Sequence, residues 1–208
     1  MVAQQLRGRQ IRSERVLEAM LRVPRHEFVG EELRTRAYDD EPLPIGEGQT
    51  ISQPYMVASM TEALELAGTE RVLEVGTGSG YQAAVLALLA REVYSIESRA
   101  ALAMEARERL ARLGGYENVH VHAGDGTLGL PELAPFDAIV VAAGAPEMPG
   151  PLVAQLAEGG RIVVPIGGRE EQQLVCGRKI EGKLRADTMY FCRFVPLVGR
   201  HGWAEDFR

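Results

Sequence analysis

Between an apolar run, Arg71-Val72-Leu73-Glu74-Val75, and an apolar stretch at Ala83–Ala90, the chain sets three glycines at alternate positions, in Glu74-Val75-Gly76-Thr77-Gly78-Ser79-Gly80. A strand that runs straight into glycines and then into a helix is the connection of a βα unit, with its turn at the carboxyl end of the strand. Glycine there permits a tight turn and lets a ligand approach the backbone without a Cβ in the way. A turn that only closes the connection is the simpler alternative. An acid ahead of three alternating glycines counts against it.

Spacing then discriminates among ligands. A dinucleotide fingerprint runs G-x-G-x-x-G, with the pyrophosphate on the helix N-terminus. Here the third glycine comes one residue early, and Glu74 adds negative charge to the turn. A cofactor with an amino-acid tail, whose ammonium can meet Glu74, suits that environment better. Glu97 ends the next expected strand, 21 residues after Gly76, where a carboxylate can accept both hydroxyls of a ribose. Gly124-Asp125-Gly126 follows the strand after that, and its aspartate can accept from an adenine amino group. A plain Asp-Gly turn is the alternative there. Together, three carboxylates at the ends of three successive strands, with no basic residue in the glycine loop, point to S-adenosylmethionine.

The rest of the chain repeats the alternation. Val16, Leu17, Met20 and Leu21 predict a helix over 10–22, and residues 38–54, with two glycines and three prolines, read as a loop. Pro54 suits the first turn of a helix. Strands are expected at 71–75, 93–96, 119–121, 136–141 and 161–165, with helices at 83–90, 99–113 and 149–157 between them. After Gly168 the helical pattern stops, and segments 173–179 and 184–195 flank Glu181-Gly182, a hairpin turn. The fold class is therefore α/β: a Rossmann-like, mostly parallel sheet with helices on both faces and an antiparallel C-terminal hairpin. One domain over 1–208 is expected, with an N-terminal extension (1–54), a cofactor-binding core (55–168) and C-terminal strands (169–208).

Composition narrows the class. The 23 basic and 29 acidic residues leave a net charge of −6, with no basic tract for nucleic acid. The longest strongly apolar run, Ala83–Ala90, is eight residues, short of a membrane span. No signal-like apolar segment opens the chain, and Cys176 and Cys192 stand 16 apart without zinc or disulfide-framework spacing. A cytoplasmic protein, with no membrane or nucleic-acid partner and no metal, is expected. His120 and His122 share a strand face without a third ligand, Met56 and Met60 read as core, and His26 shapes a loop.

Several segments carry a resemblance. Val23-Pro24-Arg25-His26, Tyr38 to Gly46, Gly48-Gln49-Thr50-Ile51-Ser52-Gln53-Pro54-Tyr55-Met56-Val57-Ala58, Leu73 to Gln82, Gly124-Asp125-Gly126, Pro135 to Ile139 and Arg193 to Leu197 occur in order. In these the chain resembles the protein-L-isoaspartate O-methyltransferases of bacteria and archaea. Many methyltransferases share the glycine loop, but the Gln49–Met56 segment is particular to this family. The resemblance implies a seven-stranded class I methyltransferase sheet. It also implies methyl transfer from S-adenosylmethionine, leaving S-adenosylhomocysteine, to the free carboxyl of L-isoaspartyl residues in damaged proteins and peptides. The ester then collapses to a succinimide without enzyme.

By resemblance Ser52 lies at the reaction centre, with Gln49, Thr50, Ile51 and Val57 wrapping cofactor and substrate. Glu74, Gly76, Thr77, Gly78, Ser79, Gly80, Glu97, Asp125 and Gly126 would hold the cofactor. From sequence alone a serine two residues before Pro54 could equally cap a helix. Glu47 and Gly144 depart from the family pattern, and both are expected to border the substrate groove. A carboxylate acceptor needs no general base, so Ser52 is expected to orient it, not to attack. A monomer is expected. The rival readings are a same-fold methyltransferase acting on a small molecule or RNA, an NAD(P)-dependent oxidoreductase, and a cofactor-binding protein without catalysis.

Overall fold

A computed structural model describes residues 1–204. In chain order the regular elements are α1 (Glu14–Arg22), β1 (Leu43–Gly46), β2 (Gln49–Ile51), α2 (Pro54–Ala63), β3 (Arg71–Val75), α3 (Tyr81–Ala87) and β4 (Glu92–Glu97). They continue with α4 (Ala100–Leu113), β5 (Val119–Ala123), β6 (Phe136–Val141), α5 (Gly150–Gln155), β7 (Leu156–Gly167), β8 (Gln172–Ile180) and β9 (Lys183–Cys192). Seven strands form one sheet in the order β5-β4-β3-β6-β7-β8-β9. The pairs from β5 to β7 are parallel, while β7–β8 and β8–β9 are antiparallel.

The central strands are apolar on both faces because helices cover both. Leu73, Val75, Ile139 and Val141 pack toward Leu152 and Leu156 on one side. Their neighbours Val72, Ala138 and Val140 pack toward Met60, Leu64 and Leu86 on the other. Each such side chain contributes about 1.5–3 kcal/mol by leaving water. Met56 and Met60 are core residues, as their spacing suggests.

Several expectations about element limits need correction, among them the helix expected at 83–90, which runs from Tyr81 to Ala87. The first helix starts at Glu14, not 10, because Ser13 caps it by accepting from Val16 N, and Glu62 Oε1 accepts the N–H groups of Arg12 and Ser13. The expected loop at 38–54 contains a hairpin, β1–β2, pairing Leu43 with Ile51. Its turn, Gly46-Glu47-Gly48, has φ of 91°, 51° and 68°, so two glycines supply the left-handed backbone that the tight reversal requires. The helix after Pro149 stops at Gln155, and β7 begins directly at Leu156. The last strand ends at Cys192, short of Val195. The hairpin turn at Glu181-Gly182 is as expected, with φ of 52° and 72°.

Candidate active site

The direction in which strands are added to the sheet reverses between β3 and β6, since β4 and β5 lie beyond β3 on one side and the later strands add outward from β6 on the other. In open α/β sheets the crevice at such a switch, outside the carboxyl ends of the strands, is where ligands bind. A concave cleft, open to solvent, lies there, the kind of surface in which small-molecule ligands are held. The loop Gly76–Ser79 after β3, Glu97 and Ser98 at the end of β4, and Ala142-Ala143 after β6 all line it. So do Gln49, Thr50, Ile51 and Ser52 from the β1–β2 hairpin and its exit, Val57 of α2, Gly126, and Val195–Val198 near the C-terminus.

The glycine loop has the backbone that its sequence implies. Gly76, Gly78 and Gly80 have φ of 97°, 51° and 87°. A Cβ at Gly78 would stand 3.2 Å from Ile45 Cδ1, so the β1–β2 hairpin rests on the loop. Gly126 is set by packing: a Cβ there would lie 2.6 Å from Val75 Cγ1.

Glu97 is the acid placed as expected. It is 6% exposed and lines the cleft. Its Oε2 accepts from Gly78 N at 2.8 Å, and its Oε1 accepts from Arg99 N at 3.0 Å and from Ser98 Oγ at 3.3 Å. An ionised carboxylate has about four acceptor positions. One on Oε2 is open, and the long Ser98 contact can yield another to a diol.

Glu74 is arranged differently from the direct ammonium contact anticipated for it. Its side chain is fully buried and lies behind the loop, outside the lining of the cleft. Ser95 Oγ donates to its Oε2 at 2.5 Å, and Thr77 Oγ1 lies 2.5 Å from the same Ser95 oxygen. With the Ser95 proton committed to Glu74, Thr77 donates to Ser95. A relay thus joins the buried acid to Thr77 on the cleft wall. Glu74 Oε1 has no partner. Burial pushes the carboxyl up to about 8, opposed by the Ser95 bond and reinforced by the charge of Glu97.

Asp125 also lies outside the lining of the cleft. Its Oδ1 accepts from Thr127 N at 2.9 Å and Thr127 Oγ1 at 2.6 Å, and its Oδ2 from Arg200 N at 2.9 Å. Burial would raise this carboxyl, but the Arg200 and Thr127 donors outweigh it and hold it low. Asp125 therefore fastens the C-terminal turn whose preceding residues, Val195–Val198, line the cleft. Gly80 likewise lies outside the lining; a Cβ there would touch Ala106 at 3.4 Å.

Ser52 lines the cleft, while the N-cap of α2 is Gln53, which makes no capping bond with its side chain. The helix-cap alternative for Ser52 is thereby set aside. The departures at 47 and 144 have local causes. Glu47 is exposed at the tip of the β1–β2 turn, outside the lining. Gly144 is buried: a Cβ would lie 2.8 Å from Gln172 Cδ, and its carbonyl accepts from Leu197 N and Trp203 Nε1. Neither lines the cleft.

Residues that sequence reasoning passed over include Tyr81, Gln82, Ser98, Ala142, Ala143 and Val195–Val198. The carboxyl-end rule could have named those next to β3, β4 and β6. The C-terminal four come from a segment whose path the sequence does not show. The buried Nε2 of Gln82 has no hydrogen-bond partner among the described residues. Among the described residues no group of three or more His, Cys, Asp or Glu is gathered to hold a metal, and no helix is long and apolar enough to cross a membrane. His120 pairs with Glu92 at 2.7 Å and stacks on Tyr94.

The cleft suits an adenosyl amino-acid cofactor: left-handed glycines clear its wall, a carboxylate ends β4, and an unpartnered amide at Gln82 needs a polar neighbour. Fold and cleft define a class I S-adenosylmethionine-dependent methyltransferase. The family model for protein-L-isoaspartate(D-aspartate) O-methyltransferase matches residues 1–202, and the chain belongs to that family. A Geobacter metallireducens protein-L-isoaspartate O-methyltransferase is 56% identical over 99% of this chain and 95% of its own length. One from Methanoculleus marisnigri is 56% identical over 98% and 92%. A solved protein-L-isoaspartate O-methyltransferase superposes with a TM-score of 0.83 at 34% identity, covering 91% of this chain; this chain spans 63% of that longer one. A Plasmodium falciparum structure, described as a β-aspartate methyltransferase in complex with S-adenosyl-L-homocysteine, gives a TM-score of 0.83 at 29% identity over 95% and 96% of the two chains.

Proposed function

We propose that this enzyme transfers a methyl group from S-adenosylmethionine to the free carboxyl of L-isoaspartyl residues in damaged proteins and peptides. The observation that carries the reading is the meeting, in one cleft, of the glycine loop and Glu97 with the Gln49–Ser52 segment. The first pair suits a cofactor, and the segment is the part of the chain most particular to its family.

When bound, the cofactor supplies an electrophilic methyl on a sulfonium centre. Gly76–Ser79 and Gly126 would give it close backbone contact, and Glu97 would accept its ribose hydroxyls. Glu74 and Asp125 support these walls from behind. The Ser52 hydroxyl would donate to the acceptor carboxylate and aim one oxygen at the methyl. That acceptor has an ordinary pKa of about 4 and is ionised at neutral pH, so no base has to be supplied. Fixing both reactants can contribute about 7–11 kcal/mol. Val57, Ile51 and Val195–Val198 would exclude water. The following backbone nitrogen then attacks the methyl ester outside the enzyme, methanol leaves, and the succinimide hydrolyses in part to aspartate.

The reading extends to a cytoplasmic monomer acting on peptides and not on nucleic acid or membranes. The free thiols Cys176 and Cys192 fit a reducing compartment, and the net charge of −6 disfavours polyanions. The test is transfer of labelled methyl to paired peptides that differ only in isoaspartyl or aspartyl linkage. Base-labile label on the isoaspartyl peptide alone supports the proposal, and label on neither sinks it. Ser52→Ala should then lose transfer while keeping affinity for S-adenosylhomocysteine.

A further inference from the structure

Among the described residues Arg25 is the largest fully buried side chain, with no exposed surface. A guanidinium cannot shed its charge in a protein, so burying one is costly unless a carboxylate compensates. None does here: no acid lies within ion-pair distance among the described residues. Asp40, whose charge pulls on it from beyond that distance, is bound to Arg9 and to Tyr55 N. Arg25 Nε instead donates to the carbonyl of Ala37 at 2.7 Å, and Nη2 donates to the carbonyl of Ser52 at 2.7 Å. The guanidinium carbon lies 4.7 Å from the centre of the Tyr81 ring, and Nη1 is buried without a partner.

Ser52 and Tyr81 both line the cleft and Arg25 does not. A permanent, uncompensated positive charge therefore stands one residue behind the wall that receives the acceptor. Its two bonds to the carbonyls of Ala37 and Ser52 need donors, but neutral donors would serve them without the cost of burying a charge. An anion arriving at Ser52 would supply the missing counter-charge through a medium of low dielectric, where the attraction is strong.

We infer that Arg25 is a positioning and selectivity residue: it fixes the Ser52 peptide by its carbonyl and supplies the positive potential that favours an ionised carboxyl over a neutral amide at the acceptor position. The inference rests on the reading of Ser52 as the acceptor site.

The experiment compares wild type, Arg25→Met, Arg25→Lys and Arg25→Ala by KM and kcat for an isoaspartyl peptide, and by calorimetric Kd for S-adenosylhomocysteine. Arg25→Met should raise KM by about tenfold or more, a loss of roughly 1.4 kcal/mol or more, with the Kd unchanged. Arg25→Lys, which keeps the charge, should recover most of the loss. In Arg25→Ala, millimolar guanidinium should lower KM and neutral urea at the same concentration should not, which separates charge from packing. Equal KM in wild type and Arg25→Met, equal rescue by urea, or a Kd that rises in step with the loss of activity would each overturn the inference. A wild-type enzyme inactive on the isoaspartyl peptide would overturn the functional reading itself and this inference with it.

Discussion

Glu97 accepts the backbone N–H of Gly78 at 2.8 Å. The acid that ends β4 is thereby clamped to the glycine loop that follows β3, and two cofactor-facing features far apart in sequence form one rigid wall. Hydrogen bonds to a charged group are worth about 1.5–3 kcal/mol. Glu97→Gln should therefore weaken S-adenosylhomocysteine binding by roughly 10- to 100-fold, with both the ribose contact and the Gly78 clamp impaired. Calorimetric titration of the two proteins checks this, and an unchanged Kd would remove Glu97 from the cofactor site.

Glu74 makes stability depend on pH. Its folded carboxyl titrates at about 8 against an ordinary value of 4.5. Below 4.5 both states are protonated and its contribution is fully present. Above that the unfolded chain ionises first, so stability is lost as pH rises toward about 8 and then levels off. The slope reaches at most about 1.4 kcal/mol per pH unit. Glu74→Gln should lack this decline, so its stability relative to wild type should improve between pH values bracketing 5 and 8. Urea unfolding at several pH values measures the difference. A constant gap would mean that Glu74 is not held neutral.

Gly144→Ala tests whether that residue serves the fold or the substrate groove. A Cβ there would press on Gln172, whose Oε1 accepts from Phe194 N at 2.8 Å and whose Nε2 donates to the Gly168 carbonyl. Overpacking of this kind costs about 1–3 kcal/mol. The expected result is a lower Tm with an unchanged ranking of isoaspartyl peptides. A changed ranking with a normal Tm would put Gly144 back at the groove.

Asp125→Ala removes three hydrogen bonds and leaves the Arg200 N–H without its acceptor. The loss should be about 1–3 kcal/mol, concentrated in the C-terminal turn. Hydrogen exchange should show faster amides at Gly199–Trp203 and little change in β3 and β6. If adenine contact is instead the main role of Asp125, cofactor affinity will fall without that local change in exchange.

Much of the architecture was legible because it depends on short-range pattern. Alternating apolar strands and helices imply parallel βα units, and the carboxyl ends of those strands imply a ligand crevice. The glycine loop and Glu97 were readable for the same reason: their roles follow from position at a strand end. Ser52 rested on family resemblance, since a serine before a proline has two local explanations, and only the assignment of the cap to Gln53 separated them.

Other features were not readable because their partners are distant in sequence. The prolines and glycines of residues 38–54 signal a loop equally well whether or not it folds into a hairpin over Gly78. Asp125 and Glu74 are acids of identical local promise to Glu97. Arg200, returning 75 residues later, claims the first, and Ser95 beneath the loop claims the second. The sequence by itself determined the order of elements and the chemistry available at strand ends. Tertiary structure decided which carboxylates face the cleft and that Arg25 lies buried behind Ser52, because burial and hydrogen-bond partnership are set by segments that meet only after the sheet has closed.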